Sequence, residues 1–428
     1  TLFMSSGVGT LSPLLVFLAI YLGMGIIVGD FSRVPITVAF LFSTIYALLM
    51  TKGTVAKRMR ILSFGVANKD VIYMIWIFLL AGAFAQSAKA MGAIDATVNS
   101  ILSLLPISFI LPGLFISTCI VSFAIGTSVG TIAALTPVAL GLAPELGLST
   151  EAVVAIIVGG AFFGDNLSFI SDTTIVATQT QRCKMSDKFM VNSWIVVPVA
   201  ILTMLVYFFM NTGTPASANM LSSDLYKVIP YLLVITIAII GLNVMTVLFL
   251  GILSTGVIGV IDGSYDIFGW FKSLSDGMLG MSELIIMTLL ATAMLTLIRH
   301  NGGISYIISK LTRSIKGKKG AEFCIAALVC LVNVCTANNT VAIMTVGPIA
   351  ADISKKYGID KRMSASILDT ASCFTQGLLP YGAQILIASS MAGVTPFSII
   401  PYLYYPLLIG VALILAVLFN YPRKYIGK

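Results

Sequence analysis

Residues 164 to 174 read GDNLSFISDTT and place two acids, one amide and four hydroxyl groups inside an apolar segment that runs from 151 to 179. Acidic and polar groups at membrane depth are costly unless they bind a cation, exchange protons or pair. Gly164 is expected to permit a helix break here, because glycine tolerates backbone conformations that other residues avoid. After the break, Asn166 and Ser168 can present side-chain oxygens beside unpaired carbonyls. The stretch therefore predicts a broken membrane span with an ion site.

The composition of the whole chain is that of a polytopic membrane protein. Of 428 residues, 58% are apolar and 10% are charged, and the mean hydropathy is +1.02. Soluble proteins are about one quarter charged, so a soluble enzyme is excluded. The net charge of +8 does not indicate nucleic-acid binding, because the basic residues fall in short connections between apolar runs. The six cysteines form no CxxC pair and His300 is the sole histidine, so neither a metal centre nor a cofactor is expected.

The apolar runs predict an all-α fold of two inverted repeats, with about ten membrane spans, two re-entrant hairpins and two broken helices. Residues 107 to 142 and 321 to 352 are too long for one span and carry polar tips, which is typical of re-entrant hairpins. Residues 151 to 179 and 363 to 391 carry polar residues, glycine or proline midway, which is typical of broken spans. The other spans are expected near 11 to 29, 34 to 50, 71 to 90, 189 to 210, 228 to 244, 246 to 262, 279 to 298 and 398 to 420.

The basic residues predict the orientation of these spans, since cytoplasmic connections collect lysine and arginine. With the N-terminus inside, 21 of the 25 basic residues fall in the C-terminal tail or in the connections 51 to 70, 180 to 188, 299 to 320 and 353 to 362. The connection 262 to 278 is acidic and is expected outside. The chain is therefore predicted to lie in the inner, cytoplasmic membrane of the cell, with both termini in the cytoplasm.

The two halves of the chain match each other at an offset of 210 to 211 residues. At an offset of 211 residues, for example, Pro137 corresponds to Pro348. Each half, 11 to 211 and 228 to 420, is expected to hold three spans, a hairpin, a broken span and a final span. Five full crossings per half would make the second half an inverted copy of the first. The hairpins and broken spans would form a transport domain, and the remainder would be mainly scaffold.

Polar residues in the other irregular segments are expected to face the stretch 164 to 174. Gln376 corresponds to Asp165, so the charged ion site belongs to the first half, and Asp369 is a candidate second proton carrier. Each hairpin tip could cap helix ends or offer oxygens to an ion. The candidate ion-binding residues are Asp165, Asn166, Ser168, Asp172, Thr127, Ser128, Asn338, Asn339, Thr340, Gln376 and Asp369.

Oxygen ligands alone suit a hard, weakly held cation such as sodium, and the expected sodium ligands are Asp165, Asn166 and Ser168. Asp172 lies seven residues after Asp165, on the same face of a continuing helix, so a cation at one acid could displace a proton from the other. Asp172 could equally cap the half-helix that follows. No basic side chain is expected at this depth, since Lys188 is assigned to a cytoplasmic connection.

The stretch 164 to 174 resembles the signature of the NhaC-type sodium/proton antiporters, Gly-Asp-x-x-Ser-Pro-x-Ser-Asp-Thr-Thr. The tip 338 to 340, Asn-Asn-Thr, is similar to the Ser-Asn-Thr tips of sodium-coupled dicarboxylate carriers in the ion transporter superfamily. Phe169 stands where the signature has proline. The resemblance implies an elevator-type homodimer, and it assigns to the ion site Asp165, Ser168, Ser171, Asp172, Thr173 and Thr174.

These features predict a sodium/proton antiporter that works by alternating access, with a carboxylate that binds sodium or a proton in turn. The expected partners are sodium, protons, the lipid bilayer and a second copy of the chain, without nucleic acid. A sodium-coupled carrier or exchanger of a small amino acid or carboxylate is the alternative. An intramembrane aspartyl protease is less favoured, because residues 162 to 165 read Phe-Phe-Gly-Asp rather than the Gly-x-Gly-Asp of such enzymes.

Overall fold

The computed structural model describes residues 7–28, 35–125, 127–168, 171–210, 224–240, 242–313 and 315–422. Over these ranges the chain is mostly helical without any β-strand, which confirms the expected all-α membrane fold. The first half forms α1 Ser12–Val28, α2 Ile36–Met50, α3 Val55–Val66, α4 Lys69–Met91, α5 Ala93–Leu104, α6 Ile107–Ile125, α7 Ser128–Glu145, α8 Thr150–Leu167, α9 Asp172–Gln181 and α10 Met185–Met210. The second half forms α11 Ile229–Ile240, α12 Val244–Asp262, α13 Ile267–Gly280, α14 Ser282–His300, α15 Gly303–Thr312, α16 Gly317–Thr336, α17 Asn339–Tyr357, α18 Lys361–Leu378, α19 Ala383–Ala392, α20 Pro396–Ile399 and α21 Tyr404–Phe419.

Eight helical segments in the described part of the chain are long and apolar enough to cross a membrane. The pair Lys361–Ala392 and Pro396–Tyr402, bent by 100°, makes a ninth. The runs predicted as spans near 34 to 50, 228 to 244 and 398 to 420 form helices of 10–17 residues, which are shorter than expected. Two of the eight, Ser128–Glu145 and Gly317–Thr336, belong to the predicted hairpins, so six of the ten predicted spans are among the eight and the bent pair is a seventh.

The two predicted hairpins are helix pairs, α6 with α7 and α16 with α17, and each pair packs on the broken span that follows it. The first broken span consists of α8 and α9, and Ser171 caps α9 by accepting a hydrogen bond from the backbone N–H of Thr174 at 3.3 Å. The second consists of α18 and α19. Its break follows from Pro380, because proline disfavours the helical conformation in the preceding residue, and Leu379 is extended.

Two of the connections predicted from the sequence are largely helical, as α3 and α13. α3 lies against α14, and α13 lies against α4. A methyl group on Gly65 of α3 would overlap Thr296 of α14. At the other crossing, a methyl group on Gly82 or Gly277 would overlap the backbone carbonyl of the other glycine. Glycine is therefore required at both crossings, as is common where membrane helices approach closely.

Candidate functional site

The polar motif lies in the interior of the fold, where α7, α8 and α18 are buried along most of their length. Asp165, in the last turn of α8, is only 4% exposed. The N-terminus of α7 faces its carboxylate: the backbone N–H of Ser128 donates to Oδ1 at 3.1 Å, and the Ser128 hydroxyl donates to Oδ2 at 2.5 Å. The positive end of a helix dipole favours negative charge at such a place. The first hairpin tip and the first broken span therefore meet at Asp165.

Asn166 is the next residue of α8 and is fully buried. Its amide nitrogen donates to the carbonyl of Phe162 at 3.1 Å and to the hydroxyl of Tyr405 at 3.2 Å. Its side-chain oxygen has no hydrogen-bond partner among the described residues. An unsatisfied buried acceptor costs free energy, so this oxygen retains an unused capacity to accept.

Two hydroxyl groups of the motif close the end of α8, and a third closes the end of α6. Ser171 and Thr173 donate to the carbonyl of Asp165 at 3.0 Å and 3.3 Å. Ser168 donates to the carbonyl of Phe123 on α6 at 2.7 Å. The last carbonyls of a helix lack partners within the helix, so these hydroxyls stabilise the ends of both helices.

Gly164 does not lie at the break, contrary to the sequence prediction. α8 continues to Leu167, and a methyl group at Gly164 would overlap the side chain of Ser122 on α6. Glycine is needed here because the first hairpin packs closely on the broken span, whereas the interruption follows three residues later. Phe169, at the usual proline position, lies outside the described residues.

A buried ion pair lies beside the broken span. Lys188 of α10 and Asp369 of α18 are both 0% exposed, and 2.7 Å separates Nζ from Oδ2. The Lys188 ammonium group also donates to the carbonyl of Asn166 at 2.6 Å and to the hydroxyl of Thr174 at 2.8 Å. All three of its hydrogens are therefore used. This corrects the sequence analysis, which placed Lys188 in a cytoplasmic connection and expected no basic group at this depth.

Asn192, one turn after Lys188, extends this cluster. Its amide nitrogen donates to the carbonyl of Asn166 at 2.9 Å and to Oδ2 of Asp369 at 3.0 Å, and its oxygen accepts from Ser366. α10 therefore holds the end of α8 and the middle of α18 together. The sequence does carry a signal for this cluster, because residues four apart share one face of a helix and α10 is otherwise apolar there.

The two buried acids differ in their charge compensation. Asp369 pairs with Lys188, whereas none of the ion pairs among the described residues involves Asp165. Asp172, the first residue of α9, is exposed, so the structure does not bring it into the buried cluster. Thr127 precedes α7 and is half-buried, without a side-chain capping bond.

The asparagines of the second hairpin tip bond to the first turn of α17. The side-chain oxygen of Asn338 accepts from the backbone N–H of Val341 at 3.0 Å, as an N-cap does. The side-chain oxygen of Asn339 accepts from the N–H of Thr340 at 3.0 Å, while its amide nitrogen is buried without a partner among the described residues. Both residues therefore contribute to helix capping.

A chain of hydrogen bonds joins the two hairpin tips through Gln384, a residue that the sequence analysis did not select. Gln376 donates to the carbonyl of Ala337 at 3.1 Å and to the side-chain oxygen of Gln384 at 2.9 Å. Gln384 donates to the hydroxyl of Ser128 at 2.9 Å, and Ser128 donates to Asp165. The structure therefore brings Gln376 and Asp165, which correspond at the 211-residue offset, into one polar network.

A cavity of about 760 Å³ opens beside the second hairpin tip. Thr336, Ala337 and Asn338 line it at the tip. Its lining also includes Lys57 of α3 and Arg299 of α14, which the charge pattern assigns to the cytoplasmic side. The cavity therefore links basic residues near a predicted cytoplasmic surface with the second hairpin tip.

Similarity to known proteins extends over nearly the whole chain. The model of the family described as "Na+/H+ antiporter family" matches residues 4–213 and 216–421. The Na(+)/H(+) antiporter NhaC of Bacillus subtilis (strain 168) is 23% identical over 398 residues, which cover 84% of this chain and 86% of that protein. The malate-2H(+)/Na(+)-lactate antiporter of the same organism is 22% identical over 452 residues, with 97% and 96% of the two chains covered.

Among solved structures, the Alcanivorax borkumensis YdaH transporter, whose topology is described as unusual, is similar with a TM-score of 0.38 and 15% identity. That match covers 85% of this chain and 91% of the other. The family match spans both halves of a chain whose apolar helices suit a membrane. The protein is therefore a multi-pass membrane transporter that belongs to the Na+/H+ antiporter family.

Proposed function

We propose that this protein exchanges sodium for protons and that Asp165 binds the two ions in turn. The observation that carries the proposal is the unequal compensation of two buried acids. Asp369 is neutralised by Lys188 at 2.7 Å, whereas Asp165 has no basic partner in the described part of the chain. A buried carboxylate without a basic partner is tolerated only with a proton or a bound cation. Because one carboxylate cannot hold both, binding of one ion releases the other.

The proposed sodium ligands are oxygen atoms at the end of α8. The carboxylate of Asp165 supplies the charge, and the unpartnered side-chain oxygen of Asn166 supplies a neutral ligand. Contacts with Phe162 and Tyr405 hold the Asn166 amide nitrogen, which leaves the oxygen for the ion. Ser168 lies one turn further along. Hard cations prefer such oxygen ligands, and no cofactor is needed for this exchange.

The Lys188–Asp369 pair has a positioning role in this proposal. Lys188 donates to the carbonyl of Asn166 while it pairs with Asp369, so it fixes the end of α8 against α18. Asp369, which the sequence analysis considered as a second proton carrier, already has a permanent counter-ion. We therefore assign the exchanged proton to Asp165 alone.

Paired contacts support the inverted repeat predicted from the sequence. The hydroxyl of Ser122 donates to the carbonyl of Ala161 at 2.6 Å. At the 211-residue offset, the amide of Asn333 donates to the carbonyl of Ser372 at 2.9 Å. Inverted repeats with broken helices are how secondary transporters reach a central site from alternate sides.

Alternating access follows from this architecture in our proposal. The hairpins and broken spans form a transport domain that moves, elevator-like, against a scaffold in each subunit of a homodimer. The cavity between Lys57, Arg299 and the second hairpin tip supports access from the cytoplasm. We place the protein in the inner membrane with both termini in the cytoplasm, since this orientation puts most basic residues inside.

Exchange of an organic acid is the second candidate, because one relative is named a malate-2H(+)/Na(+)-lactate antiporter. A carboxylate cargo would need a basic group at the site. Lys188 is the buried candidate, but its three hydrogens are already donated to Asp369, Asn166 and Thr174. The geometry therefore favours sodium and protons without an organic cargo.

The test of the proposed function is sodium-driven proton flux in proteoliposomes that contain purified protein. We expect Asp165→Asn to abolish exchange while the protein stays folded, because asparagine cannot alternate between a charged and a neutral state. Asp172→Asn, on the exposed start of α9, is the matched control and should impair exchange less. Near-normal flux in Asp165→Asn would contradict the proposal, and flux that requires added malate or lactate would favour the second candidate.

A further inference from the structure

The cavity beside the second hairpin tip has a lining that suits an anion. Among the described residues that line it there is no aspartate or glutamate, whereas Lys57 and Arg60 of α3 and Arg299 of α14 contribute positive charge. None of the ion pairs found in the described part of the chain involves these three residues. The lining therefore has a surplus of positive charge, which attracts anions.

The packing of α3 on α14 holds the basic residues at the cavity. Five residues of α3 that recur every three or four positions line the cavity and share one face of the helix: Lys57, Arg60, Ile61, Phe64 and Gly65. Gly65 keeps this face close to α14, since a methyl group at Gly65 would overlap Thr296. Arg299 follows Thr296 on α14 and also lines the cavity. One helix crossing thus fixes the cations of both helices.

Two helices begin at the wall of this cavity. They are α17, whose N-cap Asn338 lines the cavity, and α19, whose first residue Ala383 does the same. The N-terminus of a helix carries a partial positive charge, so both helix ends add to the attraction for an anion. Gly382, the N-cap of α19, has no side chain that could accept from the first N–H groups of that helix.

The rest of the cavity fits the body of an organic molecule. Its volume of about 760 Å³ lies within the range of small-molecule sites, and its apolar lining includes Met74, Leu295 and Leu386. Thr288 also lines it, is 5% exposed, and has a hydroxyl without a hydrogen-bond partner among the described residues. Thr288 lies about 16 Å from Arg299 along α14, at 1.5 Å per residue. The cavity therefore extends well beyond its basic residues.

We propose that this cavity is a binding site for an organic anion from the cytoplasm, with the anionic group at Lys57, Arg60 and Arg299 and an apolar body deeper inside. A bound anion fills the route by which the cytoplasm reaches the second hairpin tip, so it inhibits exchange. The inhibition rests on the proposed function, whereas the binding does not. The anion stays separate from the ion site, where Lys188 already donates all of its hydrogens.

The binding test uses naphthalene-2-sulfonate, whose sulfonate stays charged and carries no protons across a membrane, and the uncharged naphthalene-2-sulfonamide. Equilibrium dialysis with the purified protein measures binding, after subtraction of uptake by empty micelles. We expect Lys57→Gln, Arg60→Gln and Arg299→Gln each to weaken sulfonate binding by about twofold to fivefold, the contribution of one exposed ion pair. Sulfonamide binding should not change in these variants.

Arg58→Gln is the matched control, because it removes a charge from α3 at a position outside the described lining of the cavity. It should change sulfonate binding by less than about twofold, since solvent and salt screen a more distant charge. Lys57 and Arg60 are exposed, so their variants should fold and keep the test valid if Arg299→Gln does not. Equal sulfonate affinity in the parent protein and the glutamine variants would overturn the inference and leave the proposed function intact.

Proteoliposomes of known orientation test the inhibition. Sulfonate added on the side at which Lys57→Cys reacts with an impermeant maleimide should slow sodium-driven proton flux, and the same addition on the other side should not. Binding without inhibition, or uptake of the sulfonate as a cargo, would overturn the blocking role. Normal exchange in Asp165→Asn would instead contradict the proposed function, whatever the binding result.

Discussion

Replacement of Lys188 by methionine tests the buried ion pair, since it removes the ammonium group and keeps much of the side-chain volume. Contacts of 2.7 Å to Asp369, 2.6 Å to Asn166 and 2.8 Å to Thr174 are lost. Asp369 keeps the amide of Asn192, at 3.0 Å, and the hydroxyl of Thr173 as uncharged donors. Removing one partner of a fully buried pair costs about 3–5 kcal/mol, because the other charge remains uncompensated. At about 1.4 kcal/mol per tenfold, the folding equilibrium constant should fall by roughly 10² to 10⁴.

The free energy of unfolding can be measured by titration of SDS into mixed micelles, with tryptophan fluorescence as the signal. The double variant Lys188→Met with Asp369→Asn removes both charges, so we expect it to recover to within about 1 kcal/mol of the parent protein. Lys184→Met, at an exposed lysine one turn earlier, is the matched control and should change stability by less than about 0.5 kcal/mol.

A loss below about 1 kcal/mol in Lys188→Met, the value typical of exposed pairs, would refute the reasoning. Failure of the double variant to recover would do so as well, because the cost would then not come from an uncompensated charge. The recovered double variant should still exchange sodium for protons through Asp165. Loss of exchange in that folded variant would show that transport needs the charges of the Lys188–Asp369 pair as well as Asp165.

Two further predictions concern topology and the second hairpin. Lys57→Cys and Ser264→Cys, both at exposed positions, should react with a membrane-impermeant maleimide from opposite sides of the membrane, with Lys57 on the cytoplasmic side; reaction of both from one side would contradict the orientation. Asn339→Ala should weaken apparent sodium affinity by about threefold to tenfold, the effect of one lost polar contact, and should lower protein abundance less. Unchanged sodium dependence in purified Asn339→Ala would limit this residue to helix capping.

The fold was predictable because its signals are long apolar runs and their polar interruptions, and these depend on local sequence alone. The burial of Lys188 was not predictable, because a hydropathy profile ends a span at a lysine whether or not the lysine has partners inside the protein. α10 begins at Met185 and takes Lys188 inside, since an ion pair and two further hydrogen bonds offset its burial. Its partner Asp369 lies far away in sequence, so only the spacing to Asn192 gave a local indication.

Gln384 was missed for a different reason. Glutamine in an apolar run carries no charge and has no motif around it, so it does not stand out in composition. The 211-residue offset places Gln384 on Thr173, a member of the motif that bonds to the carbonyl of Asp165, and systematic use of the offset would have selected it. Gly164 was selected for the wrong reason. A glycine beside polar residues indicates a helix break, but Gly164 lies within α8, where its small size allows close contact with Ser122.

The glycine contact between α4 and α13 determines where the protein can deform. Gly82 and Gly277 face each other so closely that no additional atom fits between the two backbones. A shift of either helix along its axis would bring a side chain next to the glycine into steric overlap with the backbone of the other helix. We therefore expect α4 and α13 to move together as one rigid body through the transport cycle. Any sliding motion must then occur at other surfaces, where larger side chains can exchange one set of neighbours for another.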